Sequence, residues 1–486
     1  MNPLSLETLP IERGFVPVVL DHHGRVDAAS ATPTADGRDT WCVIAARDTL
    51  LHPEFPDIVG NAGQQRPDVD VFYGDEATLA QGGRPAEQIL KPGLDPALLV
   101  ADDYIGTPLA VRAAALRQLG GLRPHADTAA AYDLVLRAVA AGLGIARLIE
   151  VLGAHPASRP RPAVEDRRAA LRSWLRASGD LFEIGDGLAP GTLRLRRRFT
   201  EFPDVTLIIP TRQGARTDIP DAFEPMIITL LDSLPRTDWP LDKLRIIVGD
   251  AVPDDAIYVG RSWRFPVQRI IAGSYCNRTF NYAEKINTLW RSAETEHLVL
   301  MNDDIEIVSP EWLQALLTFS MQDDVGAVGA RLLYGDGNLQ HAGIPGGLFG
   351  MCAHAWLGQP ADAPTYQNWA LVHREWSMLT GAILATRKSV LEFVNGFDER
   401  FRLEFNDVDL CLRLRVLGFR NIYTPFAELI HYEKASRGDS HPRASELALF
   451  WKRWSEFLEQ DPAYHPGLTR TSFQIAPVEL TAGWWQ

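Results

Sequence analysis

Three segments in the second half of the chain carry residue types that could do chemistry together. Asn302-Asp303-Asp304 sets two adjacent carboxylates behind an apolar run. Such neighbours repel unless a cation, hydrogen-bond donors or water compensates them. Oxygen ligands of this kind suit Mg2+ or Mn2+, which commonly bridge a protein carboxylate to substrate phosphates. Taken alone, the pair fits a solvated loop equally well. Asn406-Asp407-Val408-Asp409 precedes Leu410-Cys411-Leu412-Arg413-Leu414 and reads as acids opening a helix. Charge complementarity with the helix dipole would explain them without function, at roughly a fraction of a kcal/mol per acid. His431, in Leu429-Ile430-His431-Tyr432, follows an apparent strand, where a lone histidine is a packing residue as readily as a ligand.

These residues need a frame. Val205-Thr206-Leu207-Ile208-Ile209 is an apolar, β-branched run of the kind found in buried parallel strands, and Pro210 follows it. A helix is predicted over 227–234, a second buried strand over 244–248, a helix over 281–293 and a third strand over 297–301. Strand and helix in alternation imply an α/β domain with a mainly parallel sheet. Ligands bind such sheets beyond the carboxyl ends of the strands, where Thr211, Asp250 and Asp304 fall.

The chain also repeats itself. Gly106–Arg112 (GTPLAVR) matches Gly381–Arg387 (GAILATR), and Asp133-Leu134-Val135-Leu136-Arg137 matches Asp409-Leu410-Cys411-Leu412-Arg413. Gly142 and His155 follow the first Asp at the spacing of Gly418 and His431 after the second. A further match sets Val71-Phe72-Tyr73-Gly74-Asp75 against Leu332-Leu333-Tyr334-Gly335-Asp336. Asp409 recurs in both copies, which favours a structural role. Asp407 has Ala131 as its counterpart, which favours chemistry confined to the second copy. Aligning Val299-Leu300 with Val43-Ile44 puts Ala46, Arg47 and Asp48 opposite Asn302, Asp303 and Asp304, and an arginine there would repel a divalent cation. No counterparts to the strands at 205–209 and 244–248 are expected in the first copy, because so few residues precede it. Residues 1–155 are therefore expected to be a truncated, degenerate and non-catalytic copy, and 201–440 the catalytic domain.

Between them, residues 156–200 hold ten arginines against five acids and read as a linker with a short helix over 163–177. That cluster is by default a solvated face, and could also approach phosphates or an anionic membrane surface. Residues 441–486 carry Trp451, Trp454 and Phe457 at helical spacing, as a helical tail packing on the catalytic domain would. The formal net charge of −14 argues against sequence-independent nucleic-acid binding. Cys42, Cys276, Cys352 and Cys411 form no C-x-x-C pair, which fits a reducing compartment. No signal peptide and no apolar stretch of about eighteen residues is evident. A cytoplasmic location is expected, with peripheral contact at the inner membrane face left open. Asn277-Arg278-Thr279 is a formal glycosylation sequon without an export signal to give it meaning. Loop motifs of dinucleotide-binding, P-loop, zincin and serine-hydrolase proteins are absent.

From Val205 to about Gly438 the chain resembles the family-2 glycosyltransferases of GT-A fold, especially bacterial members linked to O-antigen and other surface polysaccharides. The matching segments are Ile208-Ile209-Pro210-Thr211-Arg212, Phe280-Asn281 with Lys285-Ile286-Asn287, and Leu300-Met301-Asn302-Asp303-Asp304-Ile305. They continue with Leu339-Gln340-His341-Ala342-Gly343, Leu379-Thr380-Gly381-Ala382, Gly396-Phe397-Asp398, Asn406-Asp407-Val408-Asp409, and His431 with Ser436-Arg437-Gly438. Segment 41–155 resembles the later part of the same fold. The resemblance implies inverting transfer from a nucleotide-sugar donor to a saccharide or lipid-linked saccharide, with Mn2+ or Mg2+. It implies that Thr211, Arg212, Asp250, Lys285, Asn287 and Asp303 line the donor pocket. Asp304 would be the retained acid of the D-x-D motif, whose first position is Asn302 here, and His431 a further metal or diphosphate contact. Asp407 would be the general base, although the Glu that usually precedes it is Asn406. Thr380 and Gly381 would lie on the acceptor side; residues 343–375 bring Trp356, Tyr366 and Trp369 there, whose aromatic faces can stack on sugars or equally pack a loop. Two other classes compete: a nucleotidyltransferase, which usually needs a glycine-rich basic loop not seen here, and a non-catalytic carbohydrate-binding or scaffolding protein. Oligomeric state is not legible.

Overall fold

The computed structural model describes residues 3–10, 14–21, 23–26, 40–216, 224–272, 280–432 and 443–478. Cys276, the sequon and Ser436-Arg437-Gly438 lie outside them. The chain forms two compact units. Unit 1 comprises Met1–Leu195 with Tyr464–Thr469 and Ala476–Gln486; unit 2 comprises Arg196–Ala463 with Arg470–Ile475.

Unit 1 runs β1 (Phe15–Leu20), β2 (Trp41–Ala46), β3 (Leu50–Leu51), α1 (Phe55–Gln65), β4 (Val71–Leu79), β5 (Pro85–Ile89), α2 (Pro96–Ala101), β6 (Leu109–Arg112), α3 (Ala113–Gln118), α4 (Ala130–Ala140), β7 (Ile145–Pro156) and α5 (Val164–Leu175). Its described strands form one sheet in the order β1-β2-β6-β4-β7-β3, with β5 on β4. All six residues of β2 are buried, as its uninterrupted apolar sequence requires of a strand covered on both faces. A ribbon of β8 (Phe182–Asp186) and β9 (Leu193–Arg197) follows. In the arginine-rich segment, Arg159 pairs with Asp48, Arg161 and Arg167 with Asp102, and Arg168 with Asp186. Part of its charge is thus neutralised within unit 1.

Unit 2 runs β10 (Val205–Thr211), α6 (Met226–Ser233), β11 (Leu244–Asp250), β12 (Val267–Ile271), α7 (Tyr282–Ser292), β13 (His297–Met301), β14 (Ile305–Ile307), α8 (Trp312–Ser320), β15 (Val325–Leu333), β16 (Leu339–His341), β17 (Arg374–Glu375), β18 (Ile383–Arg387), α9 (Lys388–Phe393), α10 (Asn406–Val416), β19 (Arg420–His431) and α11 (Ala444–Glu459). The sheet order is β12-β11-β10-β13-β18-β15-β19-β14, with β16 on β15 and β17 on β19. It is parallel from β12 to β13, and then mixed: β18 runs antiparallel to β13 and β15, while β19 is parallel to β15. Every residue of β10 is buried, and the strand continues through Pro210 to Thr211. Each buried Ile or Leu there contributes roughly 1.5–3 kcal/mol.

The two sheets share one plan. The path β1-β2-β6-β4-β7-β3 repeats β10-β13-β18-β15-β19-β14, with the same parallel or antiparallel sense at each step. Register supports the alignment of the copies: Val43 pairs with Ala110 as Val299 pairs with Ala385. Two expectations are corrected. A counterpart to β10 does exist, because β1 lies parallel to β2 as β10 does to β13. The Tyr-Gly-Asp match is out of register: Phe72 faces Ala110 as Val328 faces Ala385, so Tyr73 corresponds to Gly329 rather than Tyr334.

The recurring Asp and Arg are a structural clamp in both units. Asp133 accepts from Arg137 Nε at 2.8 Å, and the same guanidinium donates to Leu119 O and Gly121 O. Asp409 accepts from Arg413 Nε at 2.9 Å, and that guanidinium donates to Val394 O and Gly396 O. Each clamp ties a helix to the turn after the preceding helix, so the clamp belongs to the fold.

Candidate active site

Thr211 and Asp250 end neighbouring strands as register partners. The Thr211 hydroxyl donates to Asp303 Oδ2 at 2.6 Å, and Lys285 Nζ, from α7, donates to Thr211 O at 2.9 Å. α7 starts where the Asn281 side chain accepts from Glu284 N, an N-cap that fixes the helix turn carrying Lys285. Burial pushes the Asp303 carboxyl up, and the adjacent Asp304 charge adds to this. Burial draws the Lys285 ammonium down to about 8, against the pull of Asp303 and Asp250. Asp250 is fully buried and well supplied with donors. Its Oδ2 accepts from Gln213 Nε2 at 2.8 Å, Arg269 Nε at 2.9 Å and the Tyr258 hydroxyl at 3.0 Å. Arg212 is exposed at the same strand end.

One residue further on, the chain turns into β14, and Asp304 meets His431 from the end of β19. Asp304 Oδ1 lies 3.0 Å from His431 Nε2, with both side chains buried. The pairing of Ile305 with His431 in the β14–β19 ladder brings them together. Asn302 Nδ2 stands 3.4 Å from the same ring nitrogen, and the Tyr282 hydroxyl donates to Asn302 Oδ1 at 3.4 Å. Gln340 Oε1 accepts from His431 Nδ1 at 2.6 Å.

Asp407 approaches from the first turn of α10. Phe405, just before the helix, has φ +62°, a conformation that costs on the order of 1 kcal/mol or more in a bulky residue. Its ring stacks on Phe450 of α11 at 4.6 Å, which helps hold that turn. Asp407 Oδ2 accepts from Gly381 N at 2.6 Å and Oδ1 from Val408 N at 2.9 Å. The approach is close: a Cβ on Gly381 would lie 3.0 Å from the Asp407 Cβ, so a larger residue there would push Asp407 by a few tenths of an ångström.

Asn302, Asp304, His431, Thr380, Gly381 and Asp407 line one cavity of about 260 Å³. Tyr282, Cys352, His354 and Glu404 share the wall, and sequence reasoning gave none of them a role. Tyr282 could have been found from its place in α7, one turn before Lys285. Cys352, His354 and Glu404 lie in loops without a periodic signal. Burial pushes the Cys352 thiol up to about 12, which leaves it a poor nucleophile.

Two expected site residues lie elsewhere. Asn287 spends its amide on structure, donating to Phe397 O and Glu399 Oε1 and accepting from Phe397 N and Trp290 Nε1. Trp356 is 1% exposed and packs against Trp376 at 6.2 Å, in a cluster where Arg374 lies against both Trp369 and Trp376. Its indole is part of a core and absent from the cavity wall.

Among the described residues no group of three or more His, Cys, Asp or Glu converges on one point. The Asp304–His431 pair still fits a divalent cation of the Mg2+ or Mn2+ kind. Such ions take one or two protein ligands and complete their shell with substrate phosphate oxygens and water. A carboxylate and an imidazole 3.0 Å apart at a polar cavity supply that pair. No described helix is long and apolar enough to cross a membrane.

Residues 203–448 match the family described as Glycosyltransferase like family 2. An uncharacterized protein of Sinorhizobium fredii is 29% identical over 476 residues, covering 93% of this chain and 51% of that protein. The O-antigen biosynthesis protein RfbC of Myxococcus xanthus is 31% identical over 449 residues, covering 88% of this chain and 34% of that protein. An N-acetylglucosaminyl-diphospho-decaprenol L-rhamnosyltransferase of Mycobacterium tuberculosis is 27% identical over 197 residues, 39% of this chain and 57% of that one. The chain thus spans about half the length, or less, of the first two relatives. Among solved structures, a mannosyltransferase of Pyrobaculum calidifontis in complex with GDP-Man and Mn2+ matches 55% of this chain and 73% of its own at 18% identity, with a TM-score of 0.35.

Proposed function

The chain belongs to glycosyltransferase-like family 2, and from that premise we propose that residues 201–440 transfer a sugar from a nucleotide-sugar donor to a hydroxyl of a saccharide or lipid-linked saccharide, with inversion. The observation that carries this reading is the convergence of Asp304, His431 and Asp407 on one cavity. The names of the Myxococcus and Mycobacterium relatives favour an acceptor on the route to a surface polysaccharide.

In this reading the nucleotide lies along the strand ends at Thr211, Arg212, Asp250, Asp303 and Lys285. Asp304 and His431 would hold Mn2+ or Mg2+. When bound, the cation neutralises charge on the departing diphosphate, so no proton donor is needed there. Asp407 takes the proton of the acceptor hydroxyl. The acceptor oxygen forms its bond to the anomeric carbon as the bond to diphosphate breaks, and that electron pair leaves with the phosphate oxygen. The Gly381 and Val408 amides keep the Asp407 carboxylate oriented. One base, with attack opposite the leaving group, inverts the anomeric centre. Thr380 and Gly381 would border the acceptor.

Residues 1–155 carry no transfer chemistry in this reading and 156–200 connect the two copies; of the expected tail 441–486, only the part up to Ala463 and Arg470–Ile475 falls in the catalytic unit, the rest in unit 1. Unit 1 has Ala131 for Asp407 and Arg47 for Asp303. The test is a panel of nucleotide sugars with Mn2+ and the purified chain. Release of nucleoside diphosphate supports the proposal. Formation of a nucleoside triphosphate and a sugar 1-phosphate only when pyrophosphate is added would mean a nucleotidyltransferase, and no turnover of any donor would mean a binding or scaffolding protein.

A further inference from the structure

Gln340 carries no role in the reading above, yet its side chain grips the histidine of the site at two points. It lies in β16 and is 2% exposed. Its amide oxygen stands 2.6 Å from His431 Nδ1, and its amide nitrogen donates to His431 O at 3.4 Å. The orientation of the amide follows from those partners. A flipped amide would set its oxygen against the carbonyl oxygen of residue 431.

An amide oxygen can only accept, so Nδ1 must carry the hydrogen. In the neutral ring, Nε2 is then a lone pair. Asn302 Nδ2, which can only donate, stands 3.4 Å from Nε2 and agrees with that tautomer. The lone pair faces Asp304 Oδ1 at 3.0 Å, a second acceptor. Two acceptors so placed call for either a proton or a metal cation between them. The backbone of the same residue does a related job, since Gln340 O accepts from His354 Nδ1 at 2.8 Å. His354 also lines the cavity.

We propose that Gln340 is a positioning residue that fixes the tautomer and ring plane of His431, so that Nε2 is presented with Asp304 to a divalent cation. The inference rests on the reading of Asp304 and His431 as cation ligands. A hydrogen bond from the distal nitrogen of a ligating histidine to an oxygen raises its basicity and holds its direction, and loss of such a partner typically weakens metal binding about 10–100-fold.

The test is Mn2+ binding to the full chain, measured from the electron paramagnetic resonance signal of free Mn2+ without nucleotide, alongside thermal melting. Gln340→Leu removes the acceptor. Gln340→Asn keeps an amide but ends one methylene short of Nδ1. Both are expected to weaken Mn2+ binding about 10–100-fold while still melting cooperatively. Gln340→Glu, which keeps an oxygen against Nδ1, is expected to stay within a few fold of wild type. His431→Ala is the reference for loss of the ligand itself. Wild-type affinity in Gln340→Leu and Gln340→Asn, with His431→Ala weakened, would overturn the inference alone. Equal Mn2+ binding in His431→Ala and wild type would overturn the cation reading beneath it.

Discussion

Units 1 and 2 place a histidine at the same point of the same sheet and surround it differently. In unit 1, His155 Nε2 meets Glu76 at 3.1 Å, and Lys91 Nζ bonds both Glu76 and Ile105 O. The compensating charge is built into the chain and buried: the Lys91 side chain is 2% exposed and that of Glu76 10%. Burial alone would raise the Glu76 carboxyl, but Lys91 and His155 hold it down at about 2. In unit 2, His431 meets Asp304, and the pair opens on a cavity that Asp407 also lines. A carboxylate–imidazole contact occurs in both places, but from different positions: Glu76 belongs to β4, whereas Asp304 follows β13 and its counterpart Asp48 pairs with Arg159. In unit 1 a lysine bonds the carboxylate, while in unit 2 the pair lines a cavity of about 260 Å³. Retention of His155 is thus no sign of chemistry in unit 1. The Asp–Arg clamp carries the same lesson, since it recurs wherever the fold does.

The largest effect that would break this comparison is expected at Asp407. Asp407→Asn should lower transfer by about 10²–10⁴-fold, the usual contribution of a general base. Melting should stay cooperative with a modest loss, because an asparagine oxygen can accept from Gly381 N or from Val408 N but not from both. Near-normal turnover in nucleoside diphosphate release would remove the base from unit 2 and the asymmetry with it.

Next in size is the built-in cation of unit 1. Lys91→Met should cost about 3–5 kcal/mol in urea unfolding, because Glu76 is left as an uncompensated buried charge. Lys91→Met with Glu76→Leu should recover much of that loss. A small effect of Lys91→Met would show that the ion pair does not hold unit 1 together.

The clamps come third. Asp133→Ala and Asp409→Ala should each lower stability by about 1–3 kcal/mol, since both leave a guanidinium short of a charged partner. The Asp409 loss should be the larger, because Asp409 also accepts from Arg453 and Trp454. Equal losses would mean that those two contacts contribute little.

The smallest effect is a pH dependence. The folded-state pKa of Glu76 lies below its ordinary value of 4.5, so its stabilisation is complete above that value. It is lost as pH falls from there toward about 2. The stability advantage of wild type over Glu76→Gln in urea should therefore shrink between pH 5 and pH 3. A constant difference would contradict the depressed pKa.

Much of this contrast was legible in the sequence, for physical reasons that differ by element. β10, β11 and β13 are apolar runs long enough to declare themselves, and they place Thr211, Asp250 and Asp304 at one edge of the sheet. Asp407 stood out because its counterpart is alanine. β1 was missed because so few residues precede the first copy, and Pro17 breaks the run Phe15–Leu20; among the described residues that strand lies at the edge of its sheet, where a missing N–H is tolerated. The Tyr-Gly-Asp match misled because it compared letters, whereas the ladder fixes a different register. Asn287 was placed by motif and Trp356 by residue type, and neither says which way a side chain turns. The Lys91–Glu76–His155 triad and the Gln340 grip join residues far apart in sequence, and only the folded sheet reveals them.

The central claim is that unit 2 gathers a cation where unit 1 supplies its own. Crystals of the full chain grown with Mn2+ and a nucleoside diphosphate, measured for the anomalous scattering of manganese, test it most directly. The account expects a peak bonded to Asp304 and His431 and none beside Glu76. Manganese at Glu76, or none at Asp304 with the nucleotide bound, would contradict it.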